Sequence, residues 1–107
     1  MKPKSAVLRV LYFADENKVE SKNRMHGIME EVTDETTVSC SFDDGVSTEI
    51  TNGIRDLESH MLLNVSRGSE TSYELTDRGV RRIEKLLTED DIEDSIAAVV
   101  GSYEEDS

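Results

Sequence analysis

The sequence predicts an α+β fold, on three observations. Apolar residues recur at helical spacing in five separate segments. Two short stretches rich in β-branched and aromatic residues, 62–66 and 71–75, flank Arg67-Gly68-Ser69-Glu70, which reads as a hairpin turn with Gly68 placed for a positive φ. Good helix-initiating side chains (Ser21, Ser47 or Thr48, Thr76) stand directly before three of the helical patterns.

The first helix is expected over 3–15. Pro3 suits its first turn, where the missing N–H would be unpaired anyway, and Ala6, Val7, Val10, Leu11 and Ala14 form a wide apolar face. Glu16-Asn17-Lys18 reads as a turn. A second helix starts at Ser21 and ends near Thr33-Asp34-Glu35, with Met25, Ile28, Met29 and Val32 on one face. Gly27 weakens it by about 1 kcal/mol relative to Ala and suits close approach of another helix. In 36–42, Val38, Cys40 and Phe42 alternate with polar residues, the pattern of a short strand or extended loop, and Asp43-Asp44-Gly45 turns the chain.

A third helix starts at Ser47 or Thr48, with Glu49 in its first turn. Ile50, Ile54, Leu57 and Met61 share one face; Thr48, Thr51, Asn52, Arg55 and Ser59 share the opposite one. After the hairpin, Thr76 caps a fourth helix whose Val80, Ile83, Leu86 and Leu87 face inward. Its outer face carries Arg78, Arg81, Arg82 and Lys85, read as ion-pair partners for Glu74, Glu84 or Glu89. A fifth helix spans 90–103 with an apolar stripe of Ile92, Ile96, Val99, Val100 and Tyr103.

The 107 residues fit one domain able to bury a core without disulfides or metals. No apolar run reaches the roughly 20 residues of a membrane helix, and the apolar stretch after Lys4 is broken by Arg9, so a cytoplasmic protein is expected. Cys40 is the one cysteine, read as a small buried apolar residue. The net charge of −12 is unevenly spread. Residues 88–107 hold eight acids and no base; residues 1–87 hold 16 acids against 12 bases; residues 1–27 hold six bases against three acids. Domain organisation follows: 1–88 as the folded unit, 89–107 as an acidic helix and tail. Either the tail serves a partner, or dense carboxylate and scarce lysine (five, against seven arginines) reflect a proteome adapted to high salt, as in halophilic archaea.

The most specific stretch is Asp56-Leu57-Glu58-Ser59-His60-Met61-Leu62-Leu63, followed by the hairpin and then Tyr73-Glu74-Leu75-Thr76-Asp77-Arg78-Gly79. Together with the order helix, helix, short strand, helix, hairpin, helix, it resembles winged helix-turn-helix regulators of the PadR-like and MarR-like kind. In that pattern a recognition helix ends in Leu-x-x-x-Gly-Leu-Ile/Leu, and the second wing strand runs Tyr-x-Leu-Thr-x-x-Gly into a helix. The resemblance covers about residues 5–87. It implies a winged-helix fold with an additional C-terminal helix. His60 stands where many such proteins carry glycine, which would give it the left-handed backbone of the helix end. The segment holding Val38 to Phe42 lengthens the connection between the second and third helices.

The resemblance implies that the third helix enters a DNA major groove, its N-terminal residues reading base edges. Asn pairs with adenine and Arg with guanine, so Ser47, Thr48, Thr51, Asn52 and Arg55 are the candidate contacts, though Glu49 and Asp56 would repel phosphate. Arg67 at the wing tip, and Lys22, Asn23 and Arg24 at the start of the second helix (with Lys18 before it), are the candidate backbone contacts. Such proteins often dimerise through terminal helices, which would make Ile92, Ile96, Val99, Val100 and Tyr103 a homodimer interface. No nucleophile stands beside a base at recognisable spacing, there is no phosphate-binding glycine loop or dinucleotide motif, and His26 and His60 lack metal-ligand spacing. A non-enzyme without cofactor or metal is expected: a sequence-specific regulator of double-stranded DNA or, alternatively, a winged-helix protein-interaction module that does not touch DNA.

Overall fold

The computed structural model describes residues 2–36, 38, 40–87 and 91–105. It is an α+β arrangement of α1 (Pro3–Phe13), a single 3-10 turn (Asp15–Asn17), β1 (Lys18–Glu20), α2 (Lys22–Glu35), α3 (Thr48–Ser59), β2 (Leu63–Arg67), β3 (Thr71–Leu75), α4 (Asp77–Leu86) and α5 (Asp91–Glu105). The three strands form an antiparallel sheet in the order β1-β3-β2, with Val19 and Val65 on either side of Tyr73 and Leu63 opposite Leu75. Among the described residues no helix is long and apolar enough to cross a membrane.

The helix starts follow the caps in the sequence. Ser21, Ser47 and Thr76 side chains accept from the backbone N–H of Arg24, Ile50 and Gly79. α1 is the central element, buried at Ala6, Val7, Leu8, Val10 and Leu11 and touching every other helix, β1 and β3. Arg9 is buried with its apolar neighbours. Its Nε donates to Glu93 of α5 at 2.9 Å, Nη1 to the Ser5 carbonyl and Nη2 to the Leu86 carbonyl at the end of α4. One guanidinium therefore ties α1, α4 and α5 together. Losing one member of a buried ion pair is strongly destabilising.

Several expectations need correction. Residues 18–20 form a strand rather than part of a turn: Glu16 and Asn17 take left-handed backbone (φ 57 and 54) and reverse the chain onto the outer edge of β3. Of the two readings of 36–42, short strand or extended loop, the described residues show no strand. Val38 plugs into the core, and among the described residues the pairing nearby is the isolated Asp43–Val46 bridge across the left-handed Asp44 and Gly45. Gly68 is not left-handed, and neither is His60 (φ −92); the left-handed residue ending α3 is Met61 (φ 62). That conformation throws Met61 outward, 71% exposed, off the apolar face on which its spacing placed it.

The Tyr-x-Leu-Thr-x-x-Gly stretch works as a clasp. Tyr73 and Leu75 are core residues. The Thr76 hydroxyl donates to the Met61 carbonyl at 2.7 Å and accepts from Gly79 N–H at 2.9 Å, while Thr76 N–H donates to the Leu62 carbonyl. A Cβ on Gly79 would clash with that same Leu62 carbonyl oxygen, so only glycine lets α4 lie this close to the start of the hairpin.

The apolar stripe of α5 turns inward. Ile96, Val99 and Val100 are buried in the core of the same chain, and Ile92 and Tyr103 pack half-buried against it. Tyr103 lies over Gly27, where an added Cβ would stand 3.2 Å from its hydroxyl oxygen, so Gly27 does admit a second helix closely. Ile96, Val99 and Val100 are therefore not available to a second copy, while Ile92 and Tyr103 keep part of their surface exposed.

Candidate nucleic-acid interface

α3 is held from three sides, and its remaining face is open. Ile50, Ile54 and Leu57 bury its inner stripe. At its start, Ser47 is fully buried: its side chain caps the helix and its N–H donates to Nδ1 of His26 on α2 at 3.2 Å. Ser47 thus positions α3 and is not available to a ligand, which removes it from the candidate base contacts. Burial, together with the nearby Lys22 charge, lowers the His26 pKa and favours the neutral ring that this bond needs.

Thr48, Asn52, Arg55 and Ser59 are exposed at i, i+4, i+7 and i+11, one continuous stripe along α3, with Thr51 half-buried beside it. Thr51 donates its hydroxyl to the Ser47 carbonyl, which binds it into the first turn. The described structure gives Asn52 and Arg55 no protein partner.

The carboxylates around this stripe are all engaged. Glu49 accepts from the Ser41 N–H at 2.7 Å and pins the long α2–α3 connection. Asp56 is paired with Lys4 of α1 at 2.8 Å, and that hydrogen bond holds its carboxyl below the usual range. Glu58 receives both Arg67 Nη atoms, at 2.9 and 3.0 Å, which lowers the Glu58 pKa and raises that of Arg67. Asp56 and Glu58 are thus each balanced by a cation, while Glu49 is hydrogen-bonded and keeps its charge.

The candidate backbone contacts fare unequally. Lys22 and Asn23 are exposed at the first turn of α2, and Ser21 N–H donates to the Thr71 carbonyl at 2.7 Å, so this helix start sits against the far end of the hairpin. Arg24 is half-buried and donates to the Tyr103 carbonyl, a tie between α2 and α5. Arg67 lies on the hairpin as expected, folded back on α3 by Glu58. Lys18 pairs weakly with Glu20 at 3.5 Å.

Sequence reasoning missed Glu58, Glu49 and His26 as positioning residues. Glu58 and Arg67 are nine residues apart across a tight turn, and His26 and Ser47 are 21 apart, so no periodicity links them. Cys40 is half-buried, and burial pushes its thiol up, away from the reactive thiolate. Comparison with protein-family models, curated proteins and solved structures finds no match to this chain.

Proposed function

We propose that this chain is a winged-helix regulator that binds double-stranded DNA through α3, with the β2–β3 hairpin as its wing. One observation carries the reading: the exposed Thr48, Asn52, Arg55 and Ser59 stripe, free of competing protein contacts at Asn52 and Arg55 and flanked by carboxylates already occupied. Asn and Arg four and seven residues from the first exposed position are the side chains that read adenine and guanine edges. Lys22 and Asn23 supply phosphate contacts beside the hairpin. Arg67 joins them when DNA draws it from Glu58.

A monomer of this shape would cover one half-site. The competing reading, an interaction module for a basic protein partner, draws on the net charge of −12.

Fluorescence anisotropy on pooled genomic fragments, from low to molar KCl, separates the two. Fragment-selective saturable binding supports the regulator, and persistence at molar KCl supports adaptation to a salt-loaded cell, since ordinary phosphate contacts weaken steeply with salt. Arg55→Ala is expected to cost about 1–3 kcal/mol of specific binding with fold and oligomeric state unchanged. A folded protein that binds no DNA at any salt, or an Arg55→Ala variant with wild-type affinity for its site, sinks the assignment.

A further inference from the structure

We propose that the cleft between α1, the C-terminal end of α3 and α4 binds a small organic polyanion, a molecule with two or more carboxylate or phosphate groups on an apolar frame. This goes beyond the DNA reading and does not depend on it.

The first support is charge. Arg78, Arg81, Arg82 and Lys85 line the cleft at i, i+3, i+4 and i+7, one face of α4. The ion pairs that their sequence context suggests, with Glu74 and Glu84, do not form, and Glu89 lies outside the described residues. Arg81 reaches only the Asp77 carbonyl, and among the described residues Arg78, Arg82 and Lys85 make no ion pair or hydrogen bond. Like charges at these spacings repel. In a chain with 24 carboxylates against 12 cationic side chains, four clustered cations without a carboxylate partner among the described residues are the opposite of what composition favours. The one acid on the wall, Asp56, is already taken by Lys4.

The second support is shape. The cleft has a volume of about 630 Å³, within the range of small-molecule sites. Its floor is leucine: Leu8 and Leu57 are buried at its base, and Leu86 is 38% exposed on its wall. Leu86 and Met61 are the exposed large apolar side chains of the described structure. A cationic rim over an apolar floor fits a ligand whose body is apolar and whose periphery is anionic. Guanidinium forks match carboxylate and phosphate oxygens two at a time. A phosphodiester backbone would satisfy the rim and leave the leucine floor in water, so the geometry favours the small anion over nucleic acid.

The test is a two-dimensional ¹H–¹⁵N NMR titration of the full chain at constant ionic strength, with benzene-1,3,5-tricarboxylate as probe and benzoate as its one-carboxylate counterpart. The tricarboxylate is expected to give saturable shifts confined to the amides of Leu8, Leu62, Arg82 and Leu86, with benzoate weaker by about tenfold or more. The double variant Arg78→Gln/Arg82→Gln, altered only at exposed side chains, is expected to keep the wild-type spectrum and lose about tenfold in tricarboxylate affinity. Lys85→Gln gives a second, milder variant for the same readout. Three results overturn the proposal: no saturable shift; shifts spread equally over Lys18, Lys22 and Arg55; or displacement of the tricarboxylate by a random-sequence DNA duplex, which would make the cleft a nucleic-acid contact.

Discussion

Replacing Gly79 with alanine tests whether the α4–hairpin clasp is as tight as it stands. The new Cβ would clash with the Leu62 carbonyl oxygen and approach Leu75 Cδ1 to 2.8 Å. Neither neighbour is the free end of a flexible chain: one is backbone, the other a core side chain. α4 must move off β2, and overpacking of this kind costs about 1–3 kcal/mol. The movement stretches the Thr76 N–H to Leu62 carbonyl bond, which contributes about 1 kcal/mol, and disturbs the Thr76 cap, about 1 kcal/mol more. Alanine returns about 1 kcal/mol through helix propensity. The net is a loss of about 2–4 kcal/mol, or a melting temperature lower by roughly 10–20 °C in a domain of this size. Urea unfolding followed by far-UV circular dichroism measures it. The same substitution elsewhere gives internal controls. Nothing lies within 4 Å of a Cβ at Gly68 or Gly101, and neither has a positive φ. Gly68→Ala is expected to be near neutral, and Gly101→Ala, inside α5, to stabilise by about 0.5–1 kcal/mol. A Gly79→Ala protein within about 0.5 kcal/mol of wild type would refute the clasp.

Three further outcomes follow from the packing around α3 and α5. Glu58→Gln releases Arg67 and removes a negative charge beside the α3 stripe, so DNA affinity should rise and its salt dependence steepen by about one phosphate contact; unchanged affinity and slope would place Arg67 outside the interface. His26 has its pKa lowered by burial, and its neutral Nδ1 accepts from Ser47. Its contribution to stability is therefore complete above the ordinary value of about 6.5 and is lost as pH falls from there through the lowered folded value. The difference in unfolding free energy between wild type and His26→Leu should shrink across that window, and a pH-independent difference would disprove the coupling. Ile96→Asp puts a carboxylate into the core, so loss of the helical circular dichroism signal is expected; a folded, smaller species in sedimentation would instead restore the α5 stripe as an interface between copies.

Much of the fold was legible in the sequence because it is written in local terms. Ser21, Ser47 and Thr76 mark helix starts by a bond each side chain makes three residues on, and the apolar faces of α2 and α3 follow from helical spacing. The hairpin was visible in its composition. β1 was not, because three residues with one apolar side chain carry no period; it exists because two left-handed residues aim it at the edge of β3. The exposed stripe of the candidate interface was likewise readable, as the complement of the buried one.

What the sequence determined by itself was the order of the five helices and the hairpin, the starts of the three capped helices, and which helix faces are apolar. Only the tertiary structure decided where those faces go and which charges meet. An apolar stripe on α5 fits its own core or a second copy equally well until α1 and α2 are in place to cover it. Ser47 reads as an exposed polar residue until His26 closes over its N–H. Arg67 and Glu58, Asp56 and Lys4, and Arg9 and Glu93 find each other across folds of the chain, while the cations of α4 find no carboxylate partner among the described residues. The physical reason is range: capping and periodicity act over a few residues along the chain, whereas burial and ion pairing depend on distances in space that only the folded chain sets.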